Sequence, residues 1–279
     1  MTYNKIRSLP DKNLKSRNKI GLFDSGVGGL TVMRELAVIL PHEEMVYLGD
    51  TARLPYGNKS PETVIKFAQD NAQFLLEQNI KLLVIPCHTA CTHALDILNS
   101  TLPVPVVGVT QSGVTSLLTT TKTKRVAVLG TLSTISSGQL QSQLLSQDPS
   151  LQIFSVPCPL FVPLVEENLH SHPATQLIVE HYLGHLRSQS IDAALLACTH
   201  YPLLAPLIQQ TLGPTVQLVL PAHATALAAK TILQQHNLLN PSSSTPQHLF
   251  FSSDDPHKFK LSASLFFPHP IPTVHLRQT

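Results

Sequence analysis

Short apolar runs recur along the chain, separated by longer stretches whose apolar positions fall three and four residues apart. The runs read as strands. In the first half they are KIGLF (Lys19–Phe23), EMVYLGD (Glu44–Asp50), KLLVIP (Lys81–Pro86) and VPVVGV (Val104–Val109). In the second half they are KRVAVLG (Lys124–Gly130), LQIFSVP (Leu151–Pro157), IDAALLA (Ile191–Ala197) and VQLVLP (Val216–Pro221). The longer stretches predict helices over Leu30–Leu40, after Ser60, over about His172–Ser188 and over Leu203–Leu212. Ser60 is a good N-cap with Pro61 at the first helical position. The helix it opens sets Val64, Phe67, Ala68, Ala72, Leu75 and Leu76 on one face. Regular alternation of strand and helix predicts an α/β fold, with parallel sheets flanked by helices.

The order of elements repeats, so the chain reads as two similar α/β halves. A first domain would take residues 19–112 and 219–279, a second 113–218, and residues 1–18 would form a polar N-terminal extension. Ligands of open α/β sheets bind at the carboxyl ends of strands. DSGVGG, GDTARLPYG, CHTA, GTLST, CPLFVPLVE and ACTHYP all follow strands. If the two halves face each other, these loops line one cleft. The triplet CTH occurs twice, at Cys91–His93 and at Cys198–His200. Strand order overrides that identity. Cys87 ends the third strand of its half and Cys198 the third strand of its own, so Cys87 is the positional partner of Cys198.

A length of 279 residues suits two domains. With 43% hydrophobic residues it can bury a core, and with 13% charged residues it is not a solvated, disordered chain. The formal net charge of +2 is too small to argue for a nucleic-acid partner. No run approaches the roughly 20 apolar residues that span a bilayer, so no membrane association is expected. Four cysteines are not a disulfide framework; they read as reduced thiols of a cytoplasmic protein. Residues 1–18 lack the apolar segment and cleavage site of a secretory signal and read as a disordered tail.

Two thiols on either side of a small ligand suit one kind of chemistry. Inverting a carbon next to a carboxylate needs a base on one face and an acid on the other, and a thiolate and a thiol can exchange those roles. A free cysteine titrates near 8.5, so the site must help to deprotonate it. Asp24 is the candidate helper for Cys87, and His200 with Glu166 for Cys198. Other readings stand beside this one. Cys87, His88, Cys91 and His93 lie within zinc-ligand spacing, although no second ligand pair stands nearby. Cys87 and Cys91 lack the Cys-x-x-Cys spacing of a redox pair. GVGG lacks the full dinucleotide fingerprint. Cys91 and Cys158 read as small buried hydrophobes. Asp24 can simply cap a turn, Tyr56 can be a packing aromatic, and Glu166 can be a solvated helix residue. His88 is open as a ligand donor, a steric filter or a loop residue.

Five motifs, GLFDSGVGGLTV, GDTARLPYG, CHTA, CPLFVPLVE and ACTHYPLL, in this order and spacing, resemble the glutamate racemases, cofactor-independent enzymes of the aspartate/glutamate racemase superfamily. The resemblance covers about Lys19 to Phe267, and FFSSDDPHKFKLSASLFF is similar to that family's last strand and helix. It implies two α/β domains related by a pseudo-twofold, with glutamate in the cleft between them and D-glutamate for peptidoglycan as the product. It implies no metal, no cofactor, and a homodimer as an allowed partner state. It implies Cys87 and Cys198 as the acid/base thiols, Asp24 supporting the first, and His200 and Glu166 the second. The substrate-contacting positions it implies are Asp24, Ser25, Pro55, Tyr56, Gly57, His88, Thr89, Thr131, Thr199 and His200. The chain also departs from the family pattern. His88 stands where asparagine is usual, Gln111 where a carboxylate is common, and Leu140 where tyrosine is usual. Pro221 and Ala222 replace an Asp-Ser pair. These changes leave room for aspartate or another acidic amino acid as substrate, or for a racemase-like binding protein of low activity.

Overall fold

Each apolar run forms a strand whose carboxyl end points the same way as its neighbours'. The computed structural model describes residues 15–277, so most of the N-terminal extension read over 1–18 lies outside the described residues. The first half runs β1 (Lys19–Asp24), α1 (Leu30–Ile39), β2 (Met45–Gly49), α2 (Pro61–Glu77), β3 (Ile80–Ile85), α3 (His88–Thr101), β4 (Val106–Gly108) and α4 (Val109–Thr120). The second begins with β5 (Arg125–Gly130), α5 (Leu132–Ser136), α6 (Gln139–Gln147) and β6 (Gln152–Pro157). It continues through α7 (Phe161–Glu166), α8 (Pro173–Leu183), β7 (Ala193–Ala197), α9 (Ala205–Leu212) and β8 (Gln217–Val219). The chain then passes through α10 (Ala222–Gln235), β9 (Leu249–Ser252), α11 (Pro256–Ala263) and β10 (His275–Leu276).

The strands form two sheets, ordered β10-β9-β2-β1-β3-β4 and β6-β5-β7-β8. Every pairing is parallel. The segments β2-β1-β3-β4 and β6-β5-β7-β8 have the same order, so the two halves are built on one plan. β3 and β7 are buried along their whole length, as parallel strands covered on both faces must be. Ser60 caps α2 by accepting the Thr63 N–H at 3.3 Å, and Pro61 follows it. The buried face of α2 carries Val64, Ala68, Ala72 and Leu75 as the pattern predicts, with Phe67 and Leu76 packed at its margin. It also carries Asn71, a polar residue that the apolar pattern skips.

Some boundaries differ from the expected ones for local reasons. The helix predicted over His172–Ser188 stops at Leu183 and tightens into a 3-10 turn over Gly184–Gln189, which ends at Ser190 in a left-handed conformation. The helix expected from Leu203 begins as a 3-10 turn over Tyr201–Leu204 before α9 starts. VPVVGV gives only a three-residue strand, because α4 starts directly at Val109. No described helix is long and apolar enough to cross a membrane.

Lys81, the second residue of the apolar β3, is fully buried. Its Nζ lies 2.6 Å from Glu43 Oε2 and donates to Leu238 O at 2.7 Å and to Ser16 O. Glu43 Oε1 accepts the Asn240 N–H at 2.8 Å. One ion pair therefore ties the foot of the first sheet to the segment after α10. Lys81→Met leaves Glu43 buried and unpaired, and should cost about 3–5 kcal/mol in urea unfolding. Lys81→Met/Glu43→Leu should recover part of that loss, and an unchanged midpoint for the single variant would show the pair to be dispensable.

Candidate active site

The shared strand order decides where the cysteines go. Cys87 follows β3 and occupies the N-cap position of α3, while Cys198 follows β7. Both are buried and both line one small cavity between the halves. Ser25, Pro55, Tyr56, Gly57, His88 and Thr89 line it from the first half, and Thr131, Val162, Ala197, Thr199 and His200 from the second. The cavity measures about 20 Å³, room for little more than one water molecule. Two glycines let the halves approach this closely. A Cβ on Gly28 would meet Thr199 Oγ1 at 2.5 Å and His200 Nδ1 at 2.9 Å, and one on Gly57 would meet Thr131 Cβ at 2.6 Å. The Thr89, Thr131 and Thr134 hydroxyls close a three-membered ring across the boundary at 2.9, 3.1 and 3.0 Å. His93 Nε2 meets Ser133 Oγ beside them at 2.8 Å.

Around Cys87 the neighbours are a hydroxyl and a buried carboxyl. Its Sγ lies 3.9 Å from Ser25 Oγ. Asp24 is fully buried beneath the DSGVGG turn, where Oδ2 accepts the Gly29 N–H at 3.0 Å and the Gly26 N–H at 3.3 Å. It therefore caps the turn, as an Asx residue can, and its Oδ1 has no hydrogen-bond partner among the described residues. Burial raises the Asp24 carboxyl above its ordinary value, although the His200 charge and the two N–H bonds pull the other way. Burial, with the Asp24 charge added to it, pushes the Cys87 thiol well up. Cys87 thus rests as a thiol.

Cys198 has a different neighbour. Its Sγ lies 4.0 Å from His200 Nδ1, and His200 Nε2 meets Glu166 Oε1 at 2.5 Å. Glu166 is thus a partly buried ion-pair partner rather than a solvated residue. Burial alone would lower His200, but hydrogen bonds to Cys198 and Glu166, and their charges, outweigh it and push the imidazole up to about 10. Phe266, from the segment after α11, packs edge-on against the imidazole with ring centroids 5.6 Å apart. Phe266 lies within FFSSDDPHKFKLSASLFF, but no local pattern there points to His200, because the contact joins residues far apart in the chain.

All the positions that the family resemblance implies for substrate contact line the cavity except Asp24, which is buried next to Ser25 in the same turn. Glu166 stands behind His200. Val162 and Ala197 complete the wall and were not singled out; both lie within motifs that follow strands, but small apolar residues carry no chemical signal. Among the four departures only His88 lines the cavity. It is buried, neither ring nitrogen has a partner among the described residues, and burial lowers it to about 3, so it is a neutral imidazole. Leu140 packs in the core of the second half, and Pro221 O accepts the Thr225 hydroxyl at the start of α10.

The remaining cysteines face elsewhere. Cys91 donates to Ile85 O at 3.1 Å, and Cys158 to Val156 O at 3.6 Å. No group of three or more His, Cys, Asp or Glu side chains is gathered for a metal among the described residues. Tyr56 lines the cavity with its ring, while its hydroxyl donates inward to Asp50 Oδ2, and burial raises it beyond the phenol's ordinary value.

Residues 27–229 match the family model described as Asp/Glu/Hydantoin racemase. The chain is 40% identical over 269 residues to the glutamate racemase of Chlorobaculum parvum, covering 96% of this chain and 99% of that one. It is 45% identical over 240 residues to the glutamate racemase of Geobacter metallireducens, covering 86% and 89%. Among solved structures it is similar to the glutamate racemase of Francisella tularensis in complex with D-glutamate. The TM-score is 0.88 at 34% identity, covering 94% of this chain and 98% of that one.

The raised His200 has a consequence for stability. A folded-state value of about 10, above the ordinary 6.5, contributes stability that is full below about pH 6.5 and is lost as pH rises through about 10. Urea unfolding of the protein and of His200→Asn should therefore differ most near pH 6 and converge toward pH 10. A constant difference across that range would mean that His200 is not held as a cation.

Proposed function

The chain belongs to the Asp/Glu/hydantoin racemase family and is an amino-acid racemase, and we propose that its substrate is glutamate, inverted at Cα between Cys87 and Cys198 without metal or cofactor. The observation that carries the reading is the pair of buried thiols at the ends of β3 and β7, lining one cavity from its two sides. The activity of the curated relatives supports the substrate, since the match spans nearly the whole length of the Chlorobaculum protein.

The two thiols differ in the neighbour each can use. The imidazolium of His200, 4.0 Å from Cys198 Sγ and braced by Glu166, is the cation that a thiolate base leans on. Cys87, held as a thiol by burial and by Asp24, is ready to give a proton. In one direction Cys198 takes the α-proton, the electron pair stays on Cα and its carboxylate, and Cys87 delivers its proton to the opposite face. The thiols then stand in exchanged states, and the reverse direction uses them the other way round. Ser25, Thr89, Thr131 and Thr199 offer hydroxyls for the substrate's carboxylates and ammonium, and for charge developing in the transition state. A space of about 20 Å³ does not admit glutamate. Entry therefore parts the halves at the hydroxyl ring and at the His93–Ser133 bond, and reclosure excludes water from the proton transfer. In line with the family resemblance, the enzyme works in the cytoplasm and its product, D-glutamate, is destined for peptidoglycan.

One observation favours a second substrate. The His88 ring takes more of the cavity wall than an asparagine would, which suits the shorter aspartate.

Chiral analysis of reactions started separately from L-glutamate and L-aspartate decides between these readings. Conversion of L-glutamate to a mixture of enantiomers, with aspartate slower, is the expected outcome; aspartate faster would favour the second substrate, and no D-glutamate from folded protein would sink the first. Cys87→Ala and Cys198→Ala should each keep the fold by circular dichroism and lose about 10²–10⁴-fold in racemisation. Full activity in either variant would refute the two-thiol assignment.

A further inference from the structure

Tyr56 belongs to the cavity, yet its hydroxyl is held by a cluster that reaches the far edge of the first sheet. The parallel strand order creates the cluster. Asp50, Ser253 and Arg277 directly follow β2, β9 and β10, three neighbouring strands whose carboxyl ends share one side of the sheet. Asp50 is fully buried and accepts from Tyr56 OH, from Arg53 Nε at 2.7 and 2.9 Å, from Asn71 Nδ2 at 3.1 Å and from Ser253 Oγ at 2.9 Å.

Asn71 is the pivot. A guanidinium can only donate, so the atom that receives Arg53 at 2.9 Å and Arg277 at 2.6 Å must be the amide oxygen. The orientation of the amide is thereby fixed, and its NH₂ faces Asp50 and the Tyr56 oxygen, the latter at 2.9 Å. With its oxygen accepting from Asn71, Tyr56 sends its single proton to Asp50. Arg277 is itself set by three contacts: its N–H donates to Ser252 O at 2.8 Å, its Nη2 to Asp70 O at 3.1 Å, and its guanidinium lies 5.1 Å above the Phe74 ring.

We propose that Arg277, directly after β10, is a positioning residue for the active-site turn Pro55-Tyr56-Gly57, acting through Asn71. Removing its guanidinium leaves Arg53 as the one remaining donor to the Asn71 oxygen among the described residues, which slackens the amide, weakens the hold on the Tyr56 hydroxyl and loosens the turn that walls the cavity. The side chain is half-buried along an open groove of about 630 Å³ between α2 and α3, so shortening it widens a solvent-filled groove and leaves the core intact. The kinetic consequence rests on the reading of the cavity as the glutamate site; the structural consequence does not.

The test uses full-length protein carrying ¹³C-labelled tyrosine, with the Tyr56 ring-carbon resonance assigned by its loss in Tyr56→Phe. Arg277→Met should shift that resonance, and Arg277→Lys, which keeps a cationic donor, should return it part of the way. In turnover, Arg277→Met should raise KM for glutamate about tenfold with little change in kcat. The rise should shrink below about twofold in a Tyr56→Phe background, because the two changes act on one network. An unmoved Tyr56 resonance, or a full KM effect in that background, overturns the proposal. If the protein does not turn glutamate over, the substrate reading fails and the resonance alone decides the role of Arg277. Arg277→Gln serves as the second variant should Arg277→Met fold poorly.

Discussion

Two parallel sheets with one strand order impose the arrangement on which everything else depends. Parallel pairing sends every strand's carboxyl end to the same edge of its sheet, and the two sheets turn those edges toward one cleft. A residue placed just after the third strand of each half therefore reaches the cleft from opposite sides, whatever the sequences between. Cys87 and Cys198 occupy those two places. The same rule acts once more at the edge of the first sheet, where Asp50, Ser253 and Arg277 end neighbouring strands and meet in one cluster although more than half the chain separates the first from the other two. Topology thus assembles both the cavity and the scaffold behind one of its walls.

Electrostatics then makes the two similar halves unequal. The thiol of the first half sits above a buried carboxyl, and burial with that charge keeps it protonated. The thiol of the second half sits beside an imidazole held as a cation by Glu166 and by the sulfur itself. A symmetric frame thus carries an asymmetric resting state, which is what a reaction that moves one proton onto one face and another off the opposite face requires. His88 adds a neutral donor and acceptor to the same space, with no group among the described residues bonded to either nitrogen. The close approach at Gly28 and Gly57 explains why the cavity between these groups is so small.

Much of this was legible in the chain because it follows from order and period. The strand runs are apolar enough to count, and counting them moved the repeated Cys-Thr-His triplet out of its apparent register and matched Cys87 to Cys198. Loops after strands named the residues that the cavity gathers, though not the part each one plays. What escaped has physical reasons. Helix α10 buries Thr225, Ala226, Ala229 and Leu233, and a stripe of such small residues hardly differs from its surroundings. Asn71 interrupts the apolar face of α2 and looks like noise until Asp50, Arg53 and Arg277 surround it. Phe266 and Arg277 act on His200 and Asn71 through contacts that no local pattern encodes.

The central claim is that two thiols, one on each face, handle the α-proton. The most direct measurement follows deuterium at low conversion, starting from protonated L-glutamate in heavy water and examining product and recovered substrate separately. Two thiols on opposite faces predict D-glutamate that carries deuterium at Cα and recovered L-glutamate that still carries protium. A single group serving both faces would return the substrate's own proton to the product, or would place deuterium in both enantiomers from the start, and either result would contradict the account.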